Sequence, residues 1–282
     1  MRGKRKFKNQ LFTAFCYGMT LFSILVLALL MFDIFEDGVG RLNLNFLSAF
    51  QSRNPEIAGI KSAIWGTVWL MGFTILFAVP LGILSAIYLE EYAPKNRLFN
   101  WIQINIGNLA GMPSIVYGML GLAVFVRFFS LDSSILAGSL TLALLILPVI
   151  VIAAQESLKA VPSSLREAAF ALGARKWQVV FQQVLPAAIP GIMTGVILAV
   201  SRAVGESAPL IMVGALSFIA FVPSTPMDQF TVLPVQIYNW ASRPQVEFQE
   251  LSAAAIIVLL VILFALNFVA ILIRERYQRY KL

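Results

Sequence analysis

Six stretches of this chain are apolar over a demanding length: 11–32, 64–89, 104–126, 135–155, 188–213 and 250–273. A helix of about 20 apolar residues crosses a hydrocarbon core roughly 30 Å thick. Lipid supplies no hydrogen bonds, so a segment at that depth must pair its own amides and carbonyls, which a helix does internally. The runs therefore predict an all-α membrane protein with six transmembrane helices. Only 12% of the 282 residues are charged, against about a quarter in a soluble domain. The first run follows a basic start, as in a signal peptide, but it is too long and no A-x-A site follows it. The organisation expected is a tail, first helix and outer loop over 1–63, a five-helix transmembrane domain over 64–273, and a tail over 274–282.

Lysine and arginine fix the expected orientation, because cytoplasmic loops carry their excess. With the N-terminus inside, segments 1–10, 90–103, 156–187 and 274–282 hold 15 of them, and the outer loops hold five. Both termini are then cytoplasmic. The same bias explains the net charge of +7 as a topology signal, with no nucleic-acid partner required.

The inventory argues against an enzyme. Histidine is absent and Cys16 is the only cysteine. That removes Ser-His-Asp chemistry and His or Cys metal clusters. No G-x-x-x-x-G-K-[ST] loop is present, so ATP is not bound through a P-loop of this chain. No cofactor and no metal are expected.

Two charges remain inside an apolar run. In AVSRAVGESAPLIM (199–212), Arg202 and Glu206 stand four residues apart, on one face of a helix. A charge at the bilayer centre costs about 2.5–3.5 kcal/mol on the insertion scale, and such residues are functional candidates by default. A guanidinium is a planar fork of donors matched to an oxyanion. The pair therefore suits an anion pathway, or else an ion pair that only fixes packing. Gly205 and Pro209 should loosen the helix beside it. Ser114 and Tyr117 offer hydroxyls in the third span, for an anion or for the backbone. Arg127 sits near the outer end of that span, to attract anions or to snorkel. The outer loop 215–248 is stiffened by Pro223, Pro226, Pro234 and Pro244, and Tyr238 and Trp240 suit an interface with lipid headgroups.

The loop VPSSLREAAFALGARKWQVVFQQVLPAAIPG (161–191) is unlike the others. Ser164 and Glu167 have the S-x-x-E spacing of a capping box. Leu165, Ala168, Ala169 and Leu172 fall on one helical face, and Gly173 suits a left-handed C-terminus. A second short helix is expected over 174–183. This is a cytoplasmic helix-turn-helix, either an interfacial connector or a surface on which another protein docks.

The order Glu167-Ala168-Ala169, Gly173, Leu185-Pro186 resembles the EAA coupling loop of ABC-importer permeases, with Gln183 where that family usually has Ile or Val. SRAVGESAP (201–209), MPSIVYG (112–118) and LPVQIYNWASRPQVEFQE (233–250) are similar to segments of the A-type permease family of Pst phosphate ABC importers. The likeness covers most of 60–273. It implies a type I ABC importer permease fold, with coupling through 161–187 to two ATP-binding subunits. It also implies a C-type permease as heterodimer partner, an external phosphate-binding protein facing 215–248, and inorganic phosphate as cargo in a bacterial inner membrane. The residues alone leave open another oxyanion (sulfate, molybdate or tungstate), an ATP-independent carrier, and an outer loop that only plugs the permease.

Overall fold

The computed structural model describes residues 2–216 and 218–278; the side chains of 2–7, 273, 277 and 278 are outside that description. The tail residues Arg2, Lys4, Arg5 and Lys6, and the end of the C-terminal tail from 279 on, therefore lie outside the described side chains.

Regular structure among the described residues is helical, with one isolated bridge between Ser134 and Gln229. The first long helix is α1 (Arg2–Val39), followed by the short α2 (Leu44–Ser48) and a 3-10 turn at Pro55–Ile57. Next come α3 (Lys61–Ile87), α4 (Arg97–Ala110), α5 (Ser114–Gly121) and α6 (Ile135–Lys159). The connecting loop is built from α7 (Ser163–Ala171) and α8 (Lys176–Val179), and leads to α9 (Leu185–Val204) and α10 (Ala208–Val213). The chain closes with α11 (Leu233–Ala241) and α12 (Val246–Gln278). Wider π-helical turns occupy Tyr88–Tyr92, Leu122–Phe128 and Val180–Val184.

Five unbroken stretches among the described residues are long and apolar enough to cross a membrane: Lys8–Val39, Lys61–Tyr92, Ile135–Lys159, Lys176–Val204 and Val246–Arg276. The sixth expected span is not straight. Arg97–Ala110 and Ser114–Phe128 meet at 106°. Pro113 explains the elbow. It has no amide to donate and is held extended at φ −59°, ψ 138°. The fifth span also departs from expectation: it begins in the cytoplasmic loop and stops at Val204, with a break before α10.

α6 is the most buried span and packs between α3 and α9. Hydroxyls replace water at this contact. Ser139 Oγ donates to the Leu70 carbonyl at 3.1 Å, and Thr74 Oγ1 lies 3.3 Å from the Ser139 carbonyl. α1 runs along α12 and leaves a row of large apolar side chains outward, including Phe12, Phe15 and Phe22. That face has lipid as its natural solvent.

At the opposite end from α7, the segments around α2 and α11 form a compact cap. The Trp240 ring lies 6.2 Å from Phe46 and 6.4 Å from Phe248. Gln51 donates to Gln236 and accepts the Ile219 amide at 3.0 Å, which ties down the loop after α10. The expected interfacial place of Trp240 is not found: it is 1% exposed, because it fills the space between the two phenylalanines. Tyr238, on the other face of α11, is exposed.

Replacing Trp240 by Ala removes a filled core position, which costs roughly 3–5 kcal/mol. Trp240→Ala is expected to lower the thermal midpoint of the detergent-purified protein clearly. Tyr238→Ala, on the open face, should leave it near the parent value. Equal midpoints for both variants would contradict the packing described.

Candidate functional site

The charged pair forms where α9 stops. Gly205 caps the helix, with its amide on the Arg202 and Ala203 carbonyls. Pro209 sits in the first turn of α10 and needs no amide partner there. Between the two helices the chain turns, and Glu206 folds back so that its Oε1 lies 3.3 Å from Arg202 Nε. Arg202 is in the last turn of α9, where carbonyl ends favour a cation. Glu206 lies just before α10, at an end that favours an anion. The Arg202 side chain is 45% exposed and that of Glu206 16%, so the guanidinium is open and the carboxylate sheltered. One residue before Arg202, Ser201 Oγ donates to Asn267 Oδ1 at 2.8 Å and fixes α9 against α12.

The elbow brings the third span to this break. Gly118 lets α5 lie against α10: a Cβ there would stand 2.7 Å from the Pro209 Cα. Tyr117 is buried and within electrostatic range of Arg202. Its hydroxyl is spent, however, donating to the Leu109 carbonyl at 2.8 Å across the elbow. Of the two uses of that hydroxyl, the structure shows the bond to the backbone. Ser114 is half-buried at the first position of α5. Arg127 stands at the exposed far end of the π-helical stretch, and no hydrogen bond or ion pair among the described residues links it to Arg202 or Glu206.

The loop 161–187 differs in detail from expectation. No capping box forms at Ser164 and Glu167. Pro162 is the cap residue, extended at ψ 138°, so Ser163 opens α7 and Ser164 lies inside it. The apolar face divides: Leu165 and Ala169 turn onto the core, whereas Glu167, Ala168 and Leu172 face outward, Leu172 being 89% exposed. Gly173 has φ +81°, the left-handed turn its sequence position suggested. The second arm is not a separate helix. Lys176–Val204 is one helical stretch. It passes Pro186 through the π turn, where the Leu185 amide reaches the Val180 carbonyl. Leu185 and Pro186 are thus the joint between loop and span.

A cleft of about 820 Å³ opens beside this joint, lined by Ser157, Ala160, Leu165, Ala188 and Gly191. Gly191 and Arg202 share a face of α9. Eleven residues separate them, about 16 Å along the axis.

Sequence reasoning missed Arg166. It donates to Glu91 Oε1 at 2.8 Å and to the Val161 and Leu158 carbonyls at 2.8 and 2.9 Å. Opposite charges at 91 and 166, in two segments placed on the same side by charge counting, were the available signal. No group of three or more His, Cys, Asp or Glu is placed to hold a metal among the described residues.

Known proteins resemble the chain along most of its length. The family described as "Binding-protein-dependent transport system inner membrane component" matches residues 78–279. The probable ABC transporter permease protein YqgI of Bacillus subtilis is 31% identical, over 93% of this chain and 94% of its own. The phosphate transport system permease protein PstA 1 of Mycobacterium tuberculosis is 31% identical, over 96% and 89%. PstA of Haemophilus influenzae is 32% identical, over 93% and 92%. Among solved structures, a bacterial alginate ABC transporter in complex with a pentasaccharide-bound periplasmic protein superposes with TM-score 0.68 at 16% identity, covering 93% of each chain. It shares the fold.

Tyr117→Phe deletes the bond across the elbow and leaves the Leu109 carbonyl to the Met112 amide alone, a loss of about 0.5–1.5 kcal/mol. The expected result is a lower thermal midpoint with the preference among transported anions unchanged. A changed anion preference at parental stability would place the hydroxyl in the pathway instead.

Proposed function

The chain belongs to the binding-protein-dependent transport system inner membrane component family, and we propose that it forms one half of the pathway of an ATP-driven phosphate importer. It is a multi-pass membrane protein and a transport subunit by family. The C-type permease supplies the other half, two ATP-binding subunits dock on the 161–187 loops, and an external binding protein delivers phosphate at the end carrying α2 and α11. N- and C-termini are cytoplasmic. The charge count supports this orientation, and so does the grouping of Lys95, Arg166, Arg175 and Lys176 around one end of the bundle. The transmembrane domain comprises 64–273, with α1 as a peripheral addition along α12.

One observation carries the reading: Arg202, in the last turn of a helix that begins in the docking loop, meets Glu206 across the break that ends that helix. Arg202 offers its fork to two phosphate oxygens. Glu206 competes for the same guanidinium, which keeps a bound anion from staying. A protonated phosphate oxygen donates to the Glu206 carboxylate, whereas sulfate, fully ionised, has no proton to give. Ser114 stands at the elbow as a further neutral donor, and Arg127 at the outer end attracts anions. Outward-facing Glu167, Ala168 and Leu172, with the turn at Gly173, form the surface that meets the ATPase. Ala169, Leu185 and Pro186 carry the movement inward. The relatives named PstA support phosphate over other oxyanions.

The test is the assembled importer, with both permeases, ATPase subunits and binding protein in proteoliposomes. Phosphate should stimulate ATP hydrolysis and enter; sulfate, molybdate and tungstate should not. Arg202→Met should lower uptake at least about tenfold, since a charge-assisted bidentate contact is lost. Glu206→Gln should narrow the preference for phosphate over sulfate. Wild-type uptake in both variants would remove the pair from the pathway, and uptake without any ATPase subunit would overturn the ATP-driven reading.

A further inference from the structure

We propose that the docking loop grips the π-helical end of α3 as a two-sided clamp, so that Arg166, Glu91, Lys176 and Tyr92 are positioning residues for energy coupling. This rests on the transport reading above, and adds a second route from loop to pathway beside the covalent one through α9.

The clamp is visible in its contacts. From the first arm, the Arg166 guanidinium lies 2.8 Å from Glu91, with Nε at 3.3 Å from the same oxygen. From the second arm, Lys176 Nζ stands 5.0 Å over the Tyr92 ring. Glu91 and Tyr92 are consecutive residues of the π turn that closes α3. A single short segment is therefore held from both sides of the Gly173 turn. The same guanidinium donates to the Leu158 and Val161 carbonyls, around the end of α6. Side chains of Arg166 and Glu91 are 21% and 11% exposed, so water competes poorly for them. Lysine cannot replace this arginine, because one ammonium does not span a carboxylate and two carbonyls.

The consequence is mechanical. Through α8 and the π turn, movement of the loop reaches Arg202 along one continuous helix, and Glu206 through its pairing with Arg202. Through Arg166, the same movement reaches α3 and α6. α6 bears on α5, where Thr141 fills the space left by Gly121, and α5 carries Tyr117 beside the charged pair. Both walls of the site then follow one displacement. Without the pin, α7 leans on the bundle through Leu165 and Ala169 alone among its apolar side chains, and α9 moves while the α3–α6–α5 wall lags.

The experiment measures phosphate imported per ATP hydrolysed in the complete reconstituted importer. Arg166→Gln and Glu91→Gln should each lower that ratio by about fivefold or more, the low end of measured couplings between sites. Their combination should be no worse than the worse single, because one contact is lost in all three. Arg166→Lys should not rescue. Tyr92→Leu loosens the second arm without removing a charge and should lower the ratio in the same direction. Should Arg166→Gln fail to assemble with the ATPase subunits, Tyr92→Leu decides. Wild-type ratios in Arg166→Gln or in Tyr92→Leu, or fully additive losses in the double variant, overturn the clamp. The ratio is taken for whichever oxyanion the wild-type complex carries, so a wild type that ignores phosphate sinks the phosphate reading and leaves the clamp to its own variants.

Discussion

A peptide group in hydrocarbon has no partner except another part of the protein. Every irregularity in this chain is governed by that condition. The elbow after α4 is stitched by the Tyr117 hydroxyl on the Leu109 carbonyl. The passage of Pro186 through a span is accommodated by a π turn, in which the Leu185 amide reaches back five residues. The stop at Val204 is closed by the Gly205 amide. Each interruption is backed by protein: α5 leans on α10 at Gly118, and α9 on α12 through Ser201 and Asn267. The breaks after α4 and after α9 are thus brought together where α5 meets α10, which is also where the charges sit.

That juxtaposition accounts for the pair. Arg202 on an intact lipid-facing helix would carry the full insertion cost. At a helix end it lies in the favourable field of the last carbonyls and pairs with a carboxylate four residues on, and Glu206 stands just before the next helix. The break lowers the cost of both charges and leaves the guanidinium open. An exposed arginine thus stands beside a sheltered carboxylate, the arrangement on which the proposed anion pathway rests.

Much of this was legible in the sequence, for identifiable reasons. Spans announce themselves because lipid enforces length and apolarity over many residues. The left-handed Gly173 was legible because few residues adopt that conformation without strain. The failures were local competitions. Ser164 and Glu167 have capping-box spacing, but the fixed backbone of Pro162 took the cap position one step earlier. The apolar run 104–126 reads as a rod because hydropathy averages over Pro113, which bends it by 106°. Trp240 looked interfacial, since nothing in its own neighbourhood reveals that Phe46, nearly 200 residues away, would cover it. Arg166 was hard to read for a related reason: apart from the opposite charge at Glu91, in the turn that closes α3, its partners are main-chain carbonyls. Local rules foretell what a segment is; they do not foretell what it touches.

The open face of α9 carries the argument beyond a single chain. Gly191, Leu198 and Arg202 lie on it, and it runs from the charged pair down to the apolar cleft beside the docking loop. An arginine is worth most to an anion when water is kept away from both. Beside the site α5 lies against α10 and α12 against α9, while the Arg202 side chain stays 45% exposed. A second transmembrane subunit over that face would exclude water and complete the wall. Movement of α9 relative to it would then decide whether the pair is sheltered or open, and under the proposed coupling that movement would start at the joint of Leu185 and Pro186.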